Sequence, residues 1–191
     1  MNLPNKLTIL RIIMAPIFLA TFLINFPHHY FVALILFCVA SITDLIDGKY
    51  ARKHNMITDF GKFLDPLADK MLTTAAFLGF IKLEIGYGIV WITFIVLIRE
   101  FLITSLRLIS AGKGRVIAAN IWGKAKTVSQ MTGIIVAILV EYIISLGVLN
   151  DEICSTLGYV VSGFLWVSAG LTVISGVLYL MENLEFVDYK K

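Results

Sequence analysis

The stretch Asp44-Leu45-Ile46-Asp47-Gly48-Lys49-Tyr50-Ala51-Arg52, followed after eight intervening residues by Gly61-Lys62-Phe63-Leu64-Asp65-Pro66-Leu67-Ala68-Asp69, places four aspartates at the ends of two long apolar runs. An ionised carboxylate within a bilayer is costly, and where one is retained it marks a functional site. Asp44 and Asp47 are spaced i, i+3, and Asp65 and Asp69 i, i+4, so each pair shares one face of a helix. Small residues accompany them: Gly48 and Ala51 on the first segment, and Gly61 one turn before Asp65. Small side chains leave room for a ligand or for close helix approach. A donor set made wholly of oxygen suits magnesium, manganese or calcium better than zinc. Four carboxylates can hold two cations about 4 Å apart, the layout that clamps a phosphoryl centre during in-line displacement.

The rest of the chain supplies the membrane. It has 191 residues, 59% of them hydrophobic and 15% charged, with a mean hydropathy of +0.88. Soluble domains carry about a quarter charged residues, so a soluble fold is excluded. Six runs are long enough to span a bilayer: Leu7–Ile24, Tyr30–Ala51, Phe60–Ile81, Gly88–Ile109, Ile117–Leu146 and Ile153–Met181. The whole chain, 1–191, is expected to form one all-α domain with six transmembrane helices and a short amphipathic N-terminal lead-in. The apolar run after Arg11 lacks a small-x-small cleavage site and is read as a retained first span. Cys38 and Cys154 read as packed small hydrophobes.

Cations set the orientation. Lys6 and Arg11, then Lys49, Arg52, Lys53 and Lys62, then Arg107, Lys113 and Arg115, then Lys190 and Lys191 alternate with cation-poor ends. Six spans with both termini on the cytoplasmic side satisfy that pattern. From Tyr30 to Asp44 a helix rises roughly 21 Å, which puts the aspartates in the inner leaflet near the cytoplasmic surface. A site there opens to water and to lipid headgroups together. The carboxylates are read as confined to one pair of helices near one surface, which favours a one-sided site over a cation pathway.

The pattern Asp44-x2-Asp47-Gly48-x2-Ala51-Arg52-x8-Gly61-x3-Asp65-x3-Asp69 resembles the signature of the CDP-alcohol phosphatidyltransferases. Eight residues of four types fall at fixed spacing over 26 positions, which makes the match specific. The segments running from Asn2 to Arg11, Thr58 to Lys70, Arg99 to Arg107 and Trp122 to Lys126 extend the resemblance, most closely to members whose acceptor is glycerol 3-phosphate. The resemblance implies a CDP-alcohol phosphotransferase fold, a homodimer in the cytoplasmic membrane, and two divalent cations, Mg2+ or Mn2+. It implies transfer of a phosphatidyl group from CDP-diacylglycerol to glycerol 3-phosphate, with no nucleic acid among the partners. Carried onto this chain, Asp44, Asp47 and Asp65 bind metal, and Asp69 is the general base and a further metal contact. Asp47, Gly48, Ala51, Arg52 and Gly61 form the nucleotide site, where Arg52 offers a planar fork to phosphate.

The acceptor pocket has weaker signals. Arg99, Arg107, Lys124 and Lys126 form a cationic group suited to the phosphate of the acceptor. Alternatively Arg99 pairs with a carboxylate such as Asp65 and the lysines only snorkel. Other acceptor alcohols (serine, inositol phosphate or a lipid) and a cation transporter remain the competing readings. His28, His29 and His54 read as surface residues, and Trp91, Trp122 and Trp166 as interface anchors or packing.

Overall fold

The computed structural model describes the backbone of residues 3–53, 59–112 and 121–183. Within these, the side chains of residues 3–4, 45–53, 59–63, 65, 66, 69, 111 and 112 lie outside the description. The described residues form six α-helices: α1 (Leu3–Leu23), α2 (His29–Lys53), α3 (Asp59–Lys82), α4 (Ile89–Gly112), α5 (Ile121–Ser145) and α6 (Asp151–Asn183). No strand occurs among the described residues.

Each expected span corresponds to one of these helices. The described part of the lead-in is continuous with α1, which runs unbroken from Leu3 through Pro16 to Leu23. Proline inside a helix removes a backbone hydrogen bond, which a packed apolar environment tolerates. By length and composition, α1, α4, α5 and α6 suffice to cross a membrane. In α2 the apolar part is His29–Asp44. The charged positions from Asp44 to Lys53 and from Asp59 to Lys70 lower the apolar content of α2 and α3. Both still measure roughly 36 Å at 1.5 Å per residue, and both pack beside the more apolar helices α1, α4 and α5.

The helices pair in a closed circuit. α1 packs on α2 and α3, α3 on α4, α4 on α6, α6 on α5, and α5 returns to α2. Inside the circuit, Phe18, Phe22, Phe37, Phe77, Phe80, Ile92, Ile134, Ile138 and Leu165 form one buried cluster. The phenylalanines meet edge to face, Phe22 with Phe18 at 5.2 Å and with Phe80 at 5.9 Å between centroids, the geometry their ring quadrupoles favour. Alanines at buried contacts (Ala33, Ala40, Ala76, Ala137 and Ala169) let backbones approach. Gly79 goes further, since a β-carbon there would stand 2.7 Å from the Phe22 ring.

Three turns close the bundle at the end away from the N-terminus. The expected breaks at Asn25–Pro27, Glu84–Gly86 and Gly147–Asp151 are all present. The α3–α4 turn uses Gly86 and Gly88 at φ +90° and +69°, values that glycine adopts without steric cost. α6 opens with Asn150 as its cap: the Asn150 Oδ1 accepts from the Ile153 amide at 3.0 Å, and Asp151 and Glu152 occupy the first turn. Both features stabilise a helix N-terminus. The expected breaks at 53–55 and 112–114 fall largely on residues outside the description.

Candidate active site

The aspartates lie on α2 and α3, the two helices whose apolar character fails at the N-terminal end of the bundle. Asp44 and Asp47 are one turn apart on α2, followed by Gly48, Ala51 and Arg52 in its last turns. Gly61, Asp65 and Asp69 occupy the first three turns of α3. Because both helices are continuous, the i, i+3 and i, i+4 spacings hold in the folded backbone. The side chains of Asp47, Arg52, Asp65 and Asp69 lie outside the described residues, so the expected meeting of the two carboxylate pairs does too. Among the described residues no group of three metal-type side chains gathers.

Asp44 is the one aspartate of the set with a described side chain. It is 40% exposed and pairs with Arg11 of α1, itself only 2% exposed. The pair joins α1 to α2 at the edge of the proposed donor site. The sequence offers Arg11 only as an orientation signal and part of a matching segment; its pairing depends on how α1 packs against α2, which spacing along one helix does not reveal. A carboxylate reachable from solvent, supplying hard oxygen on a helix with a second aspartate one turn on, is chemically suited to magnesium or manganese.

The second constellation centres on Glu100 of α4, a residue that sequence reasoning passed over. Its Oε1 accepts from Lys126 of α5 and lies 3.3 Å from the Arg99 guanidinium. Its Oε2 lies 3.7 Å from Lys70 of α3. Lys70 also donates to the Glu100 carbonyl at 3.2 Å and to the Thr104 hydroxyl. That hydroxyl donates in turn to the Glu100 carbonyl at 2.7 Å. Three cations from three helices therefore gather on one carboxylate that is 19% exposed. Charges so far from water persist when paired and hydrogen-bonded.

Of the four cations expected at the acceptor pocket, the structure brings two together. Arg99 and Lys126 share Glu100, and Arg99 also donates to the Ser175 hydroxyl of α6 at 3.2 Å. The stem of Arg99 lies on Gly176, where an added β-carbon would stand 3.1 Å from its Cγ. Arg107 sits further along α4, donates through Nε to the Tyr179 hydroxyl at 3.2 Å, and stacks over the same ring at 5.5 Å. Lys124 is exposed, two residues before the buried Lys126, a step of about 200° around the helix. The described partners of Arg99 are Glu100 and Ser175; a pairing with Asp65 falls outside the description.

The expectation that carboxylates are confined to two helices is overturned. Glu100 is on α4, and Glu141, half-buried beside Tyr30, is on α5. Glu100 lies one residue from Arg99, the signal that draws more weight in the sequence. A single glutamate in an apolar run gives no spacing pattern to read.

Taken together, an all-helical membrane bundle with an Asp-x2-Asp-Gly and Asp-x3-Asp pair on neighbouring segments defines the CDP-alcohol phosphatidyltransferases, and the chain belongs to that family. The family model matches residues 1–177. Its similarity is spread over the whole length of several relatives, each named CDP-diacylglycerol–glycerol-3-phosphate 3-phosphatidyltransferase. The Bacillus subtilis (strain 168) protein is 39% identical, with 96% of each chain covered. The Rickettsia bellii protein is 37% identical over 93% of each. The Pseudomonas fluorescens protein is 32% identical over 94% of this chain and 89% of its own.

Proposed function

We propose that the chain transfers the phosphatidyl group of CDP-diacylglycerol to glycerol 3-phosphate, giving phosphatidylglycerophosphate and CMP. The observation that carries the acceptor assignment is the cluster of Lys70, Arg99 and Lys126 about a single glutamate. It leaves a net positive, largely buried surface beside the helix that bears Asp65 and Asp69. A phosphorylated acceptor, glycerol 3-phosphate or inositol phosphate, matches that charge; serine does not. The names of the full-length relatives agree with it.

In this reading Asp44, Asp47, Asp65 and Asp69 hold two divalent cations, Mg2+ or Mn2+, which when bound neutralise the pyrophosphate. Gly48, Ala51 and Gly61 let the nucleotide lie against backbone, with Asp47 and Arg52 contacting it through polar groups. Arg99 and Lys126, with Arg107 behind them, hold the acceptor phosphate. Asp69 accepts the proton of the acceptor hydroxyl as its oxygen bonds to the lipid-linked phosphorus and the bond to the CMP oxygen breaks. All six helices cross the cytoplasmic membrane, with both termini and the site on the cytoplasmic face, and the enzyme works as a homodimer. The buried ion pairs sit at one end of a bundle whose middle is filled by Phe18, Phe37, Phe77 and Ile134, which supports a one-sided site and not an ion path.

The test is CMP release by purified protein in detergent. Release should require CDP-diacylglycerol, glycerol 3-phosphate and magnesium or manganese together, and should stop with a chelator. Release with serine or inositol phosphate in place of glycerol 3-phosphate would change the acceptor. No release with any acceptor, together with cation flux in liposomes, would replace the reading with transport.

A further inference from the structure

We infer that Glu100 is a positioning residue that holds the acceptor-phosphate cations in register with the helix carrying the general base. The inference rests on the phosphatidyltransferase reading above. Its basis is geometric. The two carboxylate oxygens of Glu100 face different helices: Oε1 takes Lys126 of α5 and Arg99 of α4, and Oε2 faces Lys70 of α3. Lys70 directly follows Asp69 in the chain. Its ammonium is held by the Glu100 carbonyl, the Thr104 hydroxyl and the Glu100 carboxylate. That anchorage fixes how α3 is rotated and translated against α4.

The consequence is a mechanical link between two functions. Lys126 is buried, with 5% of its side chain exposed, and pairs with Glu100. Arg99 is steered from both sides, by Glu100 and by Ser175. Moving Glu100 therefore moves two phosphate-binding cations and releases α3 at the position next to Asp69. A narrow cleft between α3 and α4 is lined by Lys70, Thr73, Phe77, Val96, Glu100 and Phe101, and the Lys70–Glu100 pair spans it.

A positioning role differs from charge neutralisation in its response to a shortened side chain. Glu100→Asp keeps the charge and draws the carboxylate back by one methylene. Glu100→Gln keeps the length and removes the charge. Initial rates in detergent, with CDP-diacylglycerol and glycerol 3-phosphate varied separately, read the effect. A displacement of about 1 Å can cost up to about 10²-fold. Glu100→Asp is thus expected to raise the KM for glycerol 3-phosphate by about 10-fold and to lower kcat, with the KM for the lipid donor changed less than about 2-fold. Glu100→Gln is expected to do at least as much. If the Asp variant keeps wild-type acceptor kinetics, charge alone matters and the positioning role is overturned. If both variants change only yield or thermal stability, or raise both KM values equally, Glu100 is structural and the inference fails. Wild-type protein that releases no CMP with glycerol 3-phosphate would instead sink the reaction assigned above.

Discussion

The two ends of this bundle are built by opposite rules. At the end that holds the N-terminus, the interior is charged: Arg11 with Asp44, and Lys70, Arg99 and Lys126 with Glu100. At the other end the helices are tied by rings and tight turns. Phe22 packs on Phe80 and Tyr30, Tyr87 stacks on Tyr159 at 5.3 Å, and Trp166 donates to the Tyr87 carbonyl at 2.9 Å. His29, expected at the surface, is half-buried there and donates through Nδ1 to the Thr21 carbonyl at 2.8 Å, tying the start of α2 to α1. Among the described residues, those at positive φ, His28, Glu84, Gly86, Gly88 and Gly147, belong to this end. Under the proposed reading, the difference separates stability from chemistry along the bundle axis. Apolar contacts hold the scaffold at one end, and the buried ions at the other serve the acceptor site.

If that separation is right, substitutions at the two ends should differ in kind. The largest effects belong to the aspartates. Asp44→Asn, Asp47→Asn and Asp65→Asn each remove an anionic hard ligand, and each should abolish turnover or shift the metal requirement to much higher concentration. Full activity of any of them at low metal removes that residue from the ligand set. Asp69→Asn should lower the single-turnover rate by about 10²-fold or more, the scale of a lost general base, while CDP-diacylglycerol still binds. Loss of donor binding would make Asp69 chiefly a ligand.

The cations come next, and here the structure ranks what the sequence could not. Lys126→Ala and Arg99→Ala strip a buried partner from Glu100, and lost buried charge pairs cost about 2–5 kcal/mol. Both should raise the KM for glycerol 3-phosphate well above any change for the lipid donor. Arg107→Ala should act less, and Lys124→Ala, at an exposed site, least. Equal effects from Lys124 and Lys126 would show that the burial difference has no functional weight.

Smaller changes probe the aromatic end. Gly79→Ala forces a methyl into the Phe22 ring. Overpacking of this kind costs about 1–3 kcal/mol, so detergent melting should occur at lower temperature while both KM values hold. Trp166→Phe removes the bond to the Tyr87 carbonyl, worth about 1 kcal/mol net, and should be visible only as a slight stability loss. A kinetic phenotype from either variant would break the separation between the two ends.

The sequence by itself determined the class, the helices and the carboxylate set. Apolar run length sets helix length through the thickness of the bilayer. Spacings of three and four set which residues share a helical face. Both are local, so α1 to α6 and the placement of Asp44, Asp47, Asp65 and Asp69 on α2 and α3 could be read directly. The tertiary structure alone decided which charges meet. Glu100 stands in an apolar run with no partner three or four positions away that would mark it, and its cations arrive from Lys70, 30 residues earlier, and Lys126, 26 residues later. Likewise Arg11 reaches Asp44 only because α1 packs on α2, and Lys126 differs from Lys124 only because its side of α5 faces the bundle. An ion pair between helices depends on their rotation and register, which are set by packing across the whole circuit and leave no periodic trace in the chain.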